Sequence, residues 1–520
     1  MNGSLGKARR RRSVIAFELI RLDRSAREPL YQQLYRQIRD ELAAGNFSGN
    51  FSRLPSSREL AAGLGISRPT VRLAFSKLHA EGYLRSRIGS GTFVADALPE
   101  TFLSPEKGAI GRPRRISDPD RIRAIPDQRV GKEFDLGAGP GAGVSLFPGT
   151  IAVDEFPIDI WERIRARALA KKGAHLLRHA SARGDADLRK AIAAYLCDFR
   201  AARCHPDQIV IVAGMQEAMT ISTLALVNRG EAVWIEDPGY HQARGVFTFA
   251  GAKVVPKPLD HEGIVITRSP KEPLPRIVYI TPSNQFPMGV TMSLERRTAL
   301  LDFARASDAF ILEYDYNSEF RFNGPPLPSL QGLDSSGRVI YAGTMSKILY
   351  PSLRLGYVVV PEQLVDSMAK IRSAMDQHSP AIDQATLARF ITEGFFLSHV
   401  KRMRKLYSQR RDFFIEQFNK LLGDRFIPQI PEAGLHLVAW LRREADFARV
   451  ARVCAEIGIN PSSLSSLCIQ AKLKPAFVFG FAAWTPAQIR ESLLKLASAL
   501  KAKRKIYAAG GQSLYTSRRG

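Results

Sequence analysis

The sequence predicts a multi-domain chain: a small winged helix–turn–helix unit over residues 28–96, then a large α/β unit over 136–502 built on a mostly parallel sheet. Three observations carry that prediction. A chain of 520 residues exceeds what one hydrophobic core organises. Residues 97–134, ALPETFLSPEKGAIGRPRRISDPDRIRAIPDQRVGKEF, are rich in Pro and charge with weak apolar periodicity, so 97–135 reads as a linker. Helical periodicity fills the segment before it, whereas after it short apolar runs alternate with helical stretches, as in a parallel sheet covered on both faces. Basic tails, 1–27 and 503–520, flank the two units.

In the first unit, PLYQQLYRQIRDELAAGNF (29–47) spaces Leu30, Leu34, Ile38 and Leu42 four apart, one buried stripe of a helix. Ser56 or Ser57 caps a second helix holding Glu59, Leu60, Ala61 and Leu64, and Gly65 ends it. Ser67 caps a third, with Pro69 in the first turn, where its missing N–H costs nothing. That third helix buries Val71, Ala74, Phe75 and Leu78 and turns Arg68, Thr70, Arg72 and Lys77 outward. GYLRSRIGSGTFVA (82–95) reads as a hairpin whose tip, Arg87 to Gly91, approaches a phosphate backbone closely because glycine has no side chain. Two helices joined by so short a turn present the second to a DNA major groove.

Charge agrees. The chain carries a net +25, and residues 1–96 hold 17 Lys/Arg against 8 Asp/Glu while 501–520 hold 6 against none. Basic ends favour a polyanion, and no amphipathic insertion helix accompanies the arginines, so nucleic acid is favoured over a membrane surface. No run of eighteen apolar residues occurs, the most apolar stretch (209–227) being broken by Gln216 and Glu217. A basic start without an apolar signal core argues for a cytoplasmic protein. Cys197, Cys204, Cys454 and Cys468 lack metal-like spacing and read as core residues in a reducing compartment, with no metal site.

LPSSRELAAGLGISRPTV and AEGYLRSRIGSGTFV resemble the winged helix–turn–helix of GntR-type bacterial transcription regulators, across essentially all of 28–95. The resemblance implies double-stranded operator DNA as partner, touched by Ser56, Arg58, Ser67, Arg68, Thr70, Arg72, Arg87 and Gly89.

The large unit's strand-like runs are QIVIVAG (208–214), EAVWIEDP (231–238), AKVVPKPL (252–259), PRIVYITP (275–282), DAFILEYD (308–315), RVIYAG (338–343) and RLGYVVVP (354–361). Polar motifs follow several of them. AGMQEAM (213–219) opens a helix, where the N–H groups near Met215 and Gln216 suit a phosphate. EDPGYHQAR (236–244) presents Tyr240, whose flat face suits an aromatic ring. TPSNQFPMG (281–289) offers Asn284 and Gln285, and GTMSKILYPSLRLGY (343–357) offers Lys347 with Arg354 seven residues on.

In this order, these stretches resemble the fold-type-I pyridoxal-phosphate-dependent transferases, and more closely the MocR-type members, in which that fold follows a GntR-type winged unit. The resemblance implies pyridoxal 5′-phosphate as cofactor, with Lys347 forming the Schiff base. Met215, Gln216, Thr344, Ser346 and Arg354 would hold the phosphate, Tyr240 would stack on the ring, Asn284 would line the site, and Tyr316 would bond the phenolic oxygen. It also implies a homodimer. A condensing lysine must be neutral, and burial beside a cation such as Arg354 favours that form. An arginine grips phosphate bidentately where lysine cannot.

Two departures stand out. Relatives usually carry Glu-Asp-Asp-Tyr-Asp-Ser-Glu-Phe where this chain has Glu313-Tyr314-Asp315-Tyr316-Asn317-Ser318-Glu319-Phe320. The aspartate that charges the ring nitrogen, and so makes the cofactor an electron sink, is replaced by Tyr314. Asp315, one residue along an extended strand, points to the opposite face. Near AFVFGFAAW (476–484), where aminotransferases place an arginine for a substrate carboxylate, only Lys472 and Lys474 occur. Both changes weaken transamination more than ligand binding. The expected function is a transcription regulator whose large unit senses a small amine, an amino acid or the cofactor. An active aminotransferase with an accessory DNA-binding unit, and a regulator whose pocket no longer takes the cofactor, are the alternatives.

Overall fold

The computed structural model describes residues 20–44, 53–87, 91–95, 145–324 and 327–510. The linker, the ends of both basic tails and the hairpin tip with Gly89 lie outside them. The chain divides into two compact units, Met1–Arg123 and Ala124–Gly520.

The small unit holds α1 (Leu30–Ala43), α2 (Ser57–Leu64) and α3 (Arg68–Ala80), followed by the antiparallel pair β1 (Leu84–Arg87) and β2 (Gly91–Val94). Ser56 caps α2 in a reciprocal box: its hydroxyl accepts from Glu59 N (3.2 Å) while its own N–H donates to the Glu59 carboxylate (2.8 Å). Gly65 ends α2 at φ 62°, a left-handed turn that glycine adopts without Cβ strain. Ser67 caps α3, with Pro69 in its first turn. Leu34, Ile38, Leu42, Leu60, Val71, Ala74 and Leu78 close a single core. Burying seven such side chains is what fixes the angle of α3 against its neighbours.

The large unit is built on an eight-stranded sheet: β3 (Ile209–Val212), β4 (Ala232–Asp237), β5 (Lys253–Asp260), β6 (Gly263–Ile264), β7 (Pro275–Ile280), β8 (Phe310–Asp315), β9 (Val339–Thr344) and β10 (Gly356–Val359). Their order is β3-β10-β9-β8-β7-β4-β5-β6, with β9, β8, β7, β4 and β5 mutually parallel. β10 runs antiparallel between β3 and β9. Every residue of β3, β4, β8, β9 and β10 is buried, which explains their continuous apolar runs. Helices α4 (Ala186–Arg200) and α5 (Met215–Leu226) pack beside this sheet.

A second sheet was not legible in the sequence beyond one strand. It is antiparallel, in the order β11 (Phe426–Pro428), β12 (His436–Leu441), β14 (Ala476–Gly480), β13 (Ser462–Ser463). Phe414 and Phe418, on the 28-residue helix α6 (Phe395–Leu422), pack on it through Phe426 and Phe479. The expectation that all four cysteines are core residues is corrected: Cys454 is buried, Cys204 and Cys468 are half-buried, and Cys197 is exposed on the outward side of α4's last turn. Among the described residues no helix is long and apolar enough to cross a membrane.

Candidate functional site

On the small unit, α3 turns Arg68 and Arg72 to solvent, and Arg58 is exposed on α2. Arg68 Nε donates to Ser57 Oγ (3.3 Å), linking the two helices. Arg58 and Arg72 have no partner among the described residues. Ser56 and Ser67 serve first as caps, and Thr70 is tied to Ser67 through their hydroxyls (2.7 Å). Arg87 lies in β1, paired with Gly91 across the hairpin. The result is a helix whose first two turns present cations and N–H groups outward, the arrangement that reads a major groove and its phosphates.

In the large unit, the carboxyl ends of the parallel strands converge, the usual place for a ligand in such sheets. After β3, Gly214 (φ 138°) starts α5, so that the N–H groups of Met215 and Gln216 point outward from the helix start. A Cβ on Gly214 would stand 3.5 Å from the Arg354 guanidinium, whose charge acts on Glu217 and Tyr240 and which makes no hydrogen bond or ion pair among the described residues. Ser346 Oγ is buried without a hydrogen-bond partner, and Ser346 N donates to Thr344 Oγ1 (3.2 Å). After β4, the Tyr240 hydroxyl donates to Gln242 Oε1, which also accepts from Gln216 Nε2 (3.1 Å). After β7, Asn284 Nδ2 donates to the Tyr316 oxygen (3.2 Å).

Lys347, after β9, donates from Nζ to the Gly149 carbonyl (2.8 Å). Burial lowers its pKa below the ordinary lysine value, because the charged form loses hydration. The expected assistance from Arg354 is corrected here: burial alone accounts for the shift, and Arg354 lies against Gly214 instead. Gln285 is likewise a structural amide, donating to Glu236, Pro238 O and Phe286 O.

The alternation along β8 is as the sequence predicts. Tyr314 and Tyr316 lie on one face, with ring centroids 5.6 Å apart, beside Tyr279 at 6.5 Å from Tyr314. Burial holds the Tyr314 phenol well above its ordinary pKa, so it is a neutral hydroxyl. Asp315 faces the other way, pairing with Arg200 (2.7 Å) and accepting from Tyr341 OH (2.7 Å) and Ser318 Oγ (2.8 Å). Lys472 and Lys474, the cations nearest β14, are exposed.

One residue escaped the sequence reading. His436, at the start of β12, is buried with its Nε2 3.1 Å from the Pro287 carbonyl, and its ring meets Phe286 edge-on at 5.2 Å. Burial and the Lys347 charge push its pKa down to about 4. No spacing signal marks a lone histidine in an apolar run; only the second sheet brings it to the site.

Fold and site together define a DNA-binding unit joined to an aminotransferase-type unit. Residues 30–94 match the bacterial regulatory proteins of the gntR family, and residues 152–496 match aminotransferase class I and II. The chain is 37% identical over 92% of its length to 96% of the probable rhizopine catabolism regulatory protein MocR of Rhizobium meliloti. It is 34% identical over 92% of its length to 98% of the HTH-type transcriptional regulator YdeL of Bacillus subtilis. The structure of Pyrococcus horikoshii kynurenine aminotransferase in complex with PMP is similar at TM-score 0.64 and 26% identity, covering 70% of this chain and 92% of that one. The chain belongs to the MocR-type transcription regulators, a GntR-type winged unit followed by an aminotransferase fold.

Proposed function

We propose that this DNA-binding transcription regulator senses a small amine, an amino acid or the cofactor itself through pyridoxal 5′-phosphate held in its large unit, acting as a cytoplasmic homodimer. What supports this reading is a set of residues suited to holding the cofactor, with the buried phenol of Tyr314 rather than a carboxylate on their side of β8. Gly214, the α5 N–H groups, the unpartnered Ser346 Oγ and the Arg354 guanidinium, which makes no hydrogen bond or ion pair among the described residues, would cradle a phosphate dianion. Tyr240 and Tyr316 would flank the ring, and burial lowers the Lys347 pKa toward the neutral form that condenses with an aldehyde. When bound, the cofactor supplies an aldehyde carbon that a primary amine captures.

Tyr314 stands where a carboxylate would face the ring nitrogen, and a neutral phenol cannot stabilise a positive charge there. That favours sensing over turnover. A ligand that binds two arrangements of the dimer unequally shifts how the winged units meet DNA, by linkage. Residues Arg58, Arg68 and Arg72 would carry the DNA contacts.

Two measurements test this. Visible absorption of the cofactor-loaded protein should vanish in Lys347→Ala, and operator binding should vanish on deleting residues 1–96. Cofactor absorption that survives Lys347→Ala overturns the assignment of the lysine; sustained turnover of an amino donor establishes the aminotransferase reading instead.

A further inference from the structure

A cavity of about 300 Å³ lies between α4 and the first turns of α6, floored by Ser318 and Glu319 just beyond β8. That volume is at the small end of ligand pockets. The cavity is distinct from the proposed cofactor site. None of the residues assigned to the cofactor lines it. Tyr195, in its wall, belongs to the core on the opposite side of the sheet from Tyr240, Tyr314 and Tyr316.

Helical spacing builds both walls. Leu397, Lys401 and Arg404 follow one another at four and three residues along α6, so a single stripe of that helix lines the cavity. On α4, Tyr195 and Phe199 are four residues apart, and their rings stack with centroids 5.5 Å apart and planes 26° from parallel. Phe199 is 41% exposed and Leu397 38%, so the lining keeps uncovered apolar surface.

Charge decides what this space suits. Arg404 Nε donates to the Glu319 carbonyl (2.7 Å), which anchors the guanidinium while its two terminal nitrogens make no hydrogen bond or ion pair among the described residues. Lys401, exposed one turn earlier, makes none either. Arg200, at the floor, has its charge matched by Asp315. Glu319 is the one carboxyl of the lining among the described residues, and it accepts from Tyr195 OH (2.6 Å). Burial and the nearby Asp315 charge raise its pKa above the ordinary carboxyl range, toward the neutral form. The cavity therefore sets two unmatched cations beside an aromatic wall. A guanidinium fork fits the two oxygens of a carboxylate, and a phenyl ring offers a flat partner. An amine would meet Lys401 and Arg404 with its own sign.

We propose that this cavity is a second ligand site, which takes a small aromatic carboxylate: the carboxylate is held by Arg404 and Lys401, and the ring lies against Phe199 and Leu397. The site stands independently of the cofactor-based sensing proposed above. It is nevertheless placed to influence it, because Ser318 donates from N (3.2 Å) and Oγ (2.8 Å) to the carboxylate of Asp315, on the strand that carries Tyr314.

Isothermal titration of the full-length protein tests this with three probes. Benzoate has ring and charge, benzamide the ring alone, and acetate the charge alone. Benzoate should bind at least about tenfold more tightly than either, since charge-assisted bonds and ring contact act together. Arg404→Gln should bring benzoate to within about twofold of benzamide, whereas Phe199→Ala should weaken both by a similar factor of about three. Lys401→Gln guards against a folding artefact at Arg404: it loses no intramolecular partner, should leave the melting temperature unchanged, and should still weaken benzoate by about threefold at low salt and less at high salt. Lys347→Ala should leave benzoate binding intact. Benzoate that binds no tighter than benzamide, or unchanged in both Arg404→Gln and Lys401→Gln, overturns the site. Its loss in Lys347→Ala also overturns it, by moving the anion to the cofactor site. Acetate binding as tightly as benzoate overturns the aromatic ligand class.

Discussion

In the small unit, Arg58 and Arg72 stand exposed with no carboxylate among the described residues in ion-pair reach. In the large unit, Arg200 is 2% exposed and pairs with Asp315 at 2.7 Å, and it also donates to Ser283 Oγ and Leu327 O. The contrast concerns what charge is for. Unpaired cations on a surface retain a field that a polyanion can neutralise. A buried, ion-paired cluster offers little field; it fixes geometry and determines which groups remain for chemistry. With Asp315 held by Arg200, Tyr341 and Ser318 on the opposite face, the Tyr314 face of β8 carries no charged side chain.

The largest effect that tests this contrast is Asp315→Ala. It leaves the Arg200 guanidinium buried without its counter-charge, which costs about 3–5 kcal/mol when one partner of a buried pair is removed. Urea unfolding should show that loss, and Arg200→Met combined with Asp315→Leu should recover most of it. A cost below about 1 kcal/mol would mean that the pair is hydrated, and the contrast would fail.

A second effect is read from pH. Burial pushes the Glu236 carboxyl up to about 7, against hydrogen bonds from Thr281 N, Thr281 Oγ1 and Gln285 Nε2 that favour its charged form. The folded protein thus holds this proton more tightly than the unfolded chain does. Its stabilisation is full below about pH 4.5 and is lost as pH rises through 7, on the order of 3 kcal/mol across the window. Denaturation of wild type and Glu236→Gln at pH 4.5 and 7.5 should show a steeper decline in the wild type by about that amount. In the small unit the exposed Glu59 behaves oppositely, its pKa lowered by bonds from Ser56.

Much of this was legible in the sequence, for local reasons. Caps at Ser56 and Ser67, the Gly65 turn and the outward Arg68 and Arg72 depend on residues three or four apart, and strand alternation alone placed Asp315 opposite Tyr314. What was not legible depends on distant segments. The burial partner of Asp315 is 115 positions away on α4, and His436 reaches the site only because β12 belongs to a sheet of short strands with little period of their own. Arg354 was expected to hold the phosphate and, by its charge, to favour neutral Lys347; its left-handed backbone (φ 49°) and its place against Gly214, which no local pattern foretells, leave the Lys347 shift to burial alone.

The exposed side of the contrast predicts smaller energies with larger functional consequences. Arg72→Ala should weaken operator binding by about 1–3 kcal/mol and, if its partner is a phosphate, lower the salt slope by about one. Folding stability should stay within about 0.5 kcal/mol, since no intramolecular partner is lost. Fluorescence anisotropy over a salt series, paired with thermal unfolding, separates the two.

Ser56→Ala gives the smallest effect and the sharpest discrimination. Ser56 and Arg58 lie two residues apart, and both are expected to sit near the DNA backbone. The serine closes a capping box, so its loss should destabilise α2 by about 1 kcal/mol; Arg58→Ala removes no intramolecular bond. Hydrogen exchange of the α2 amides should therefore quicken about fivefold in Ser56→Ala and stay unchanged in Arg58→Ala, whereas operator affinity at matched folded fraction should fall in Arg58→Ala more than in Ser56→Ala. The reverse pattern would make the serine hydroxyl the DNA ligand and the arginine a structural residue, and the division between caps that fold and cations that bind would not hold on α2.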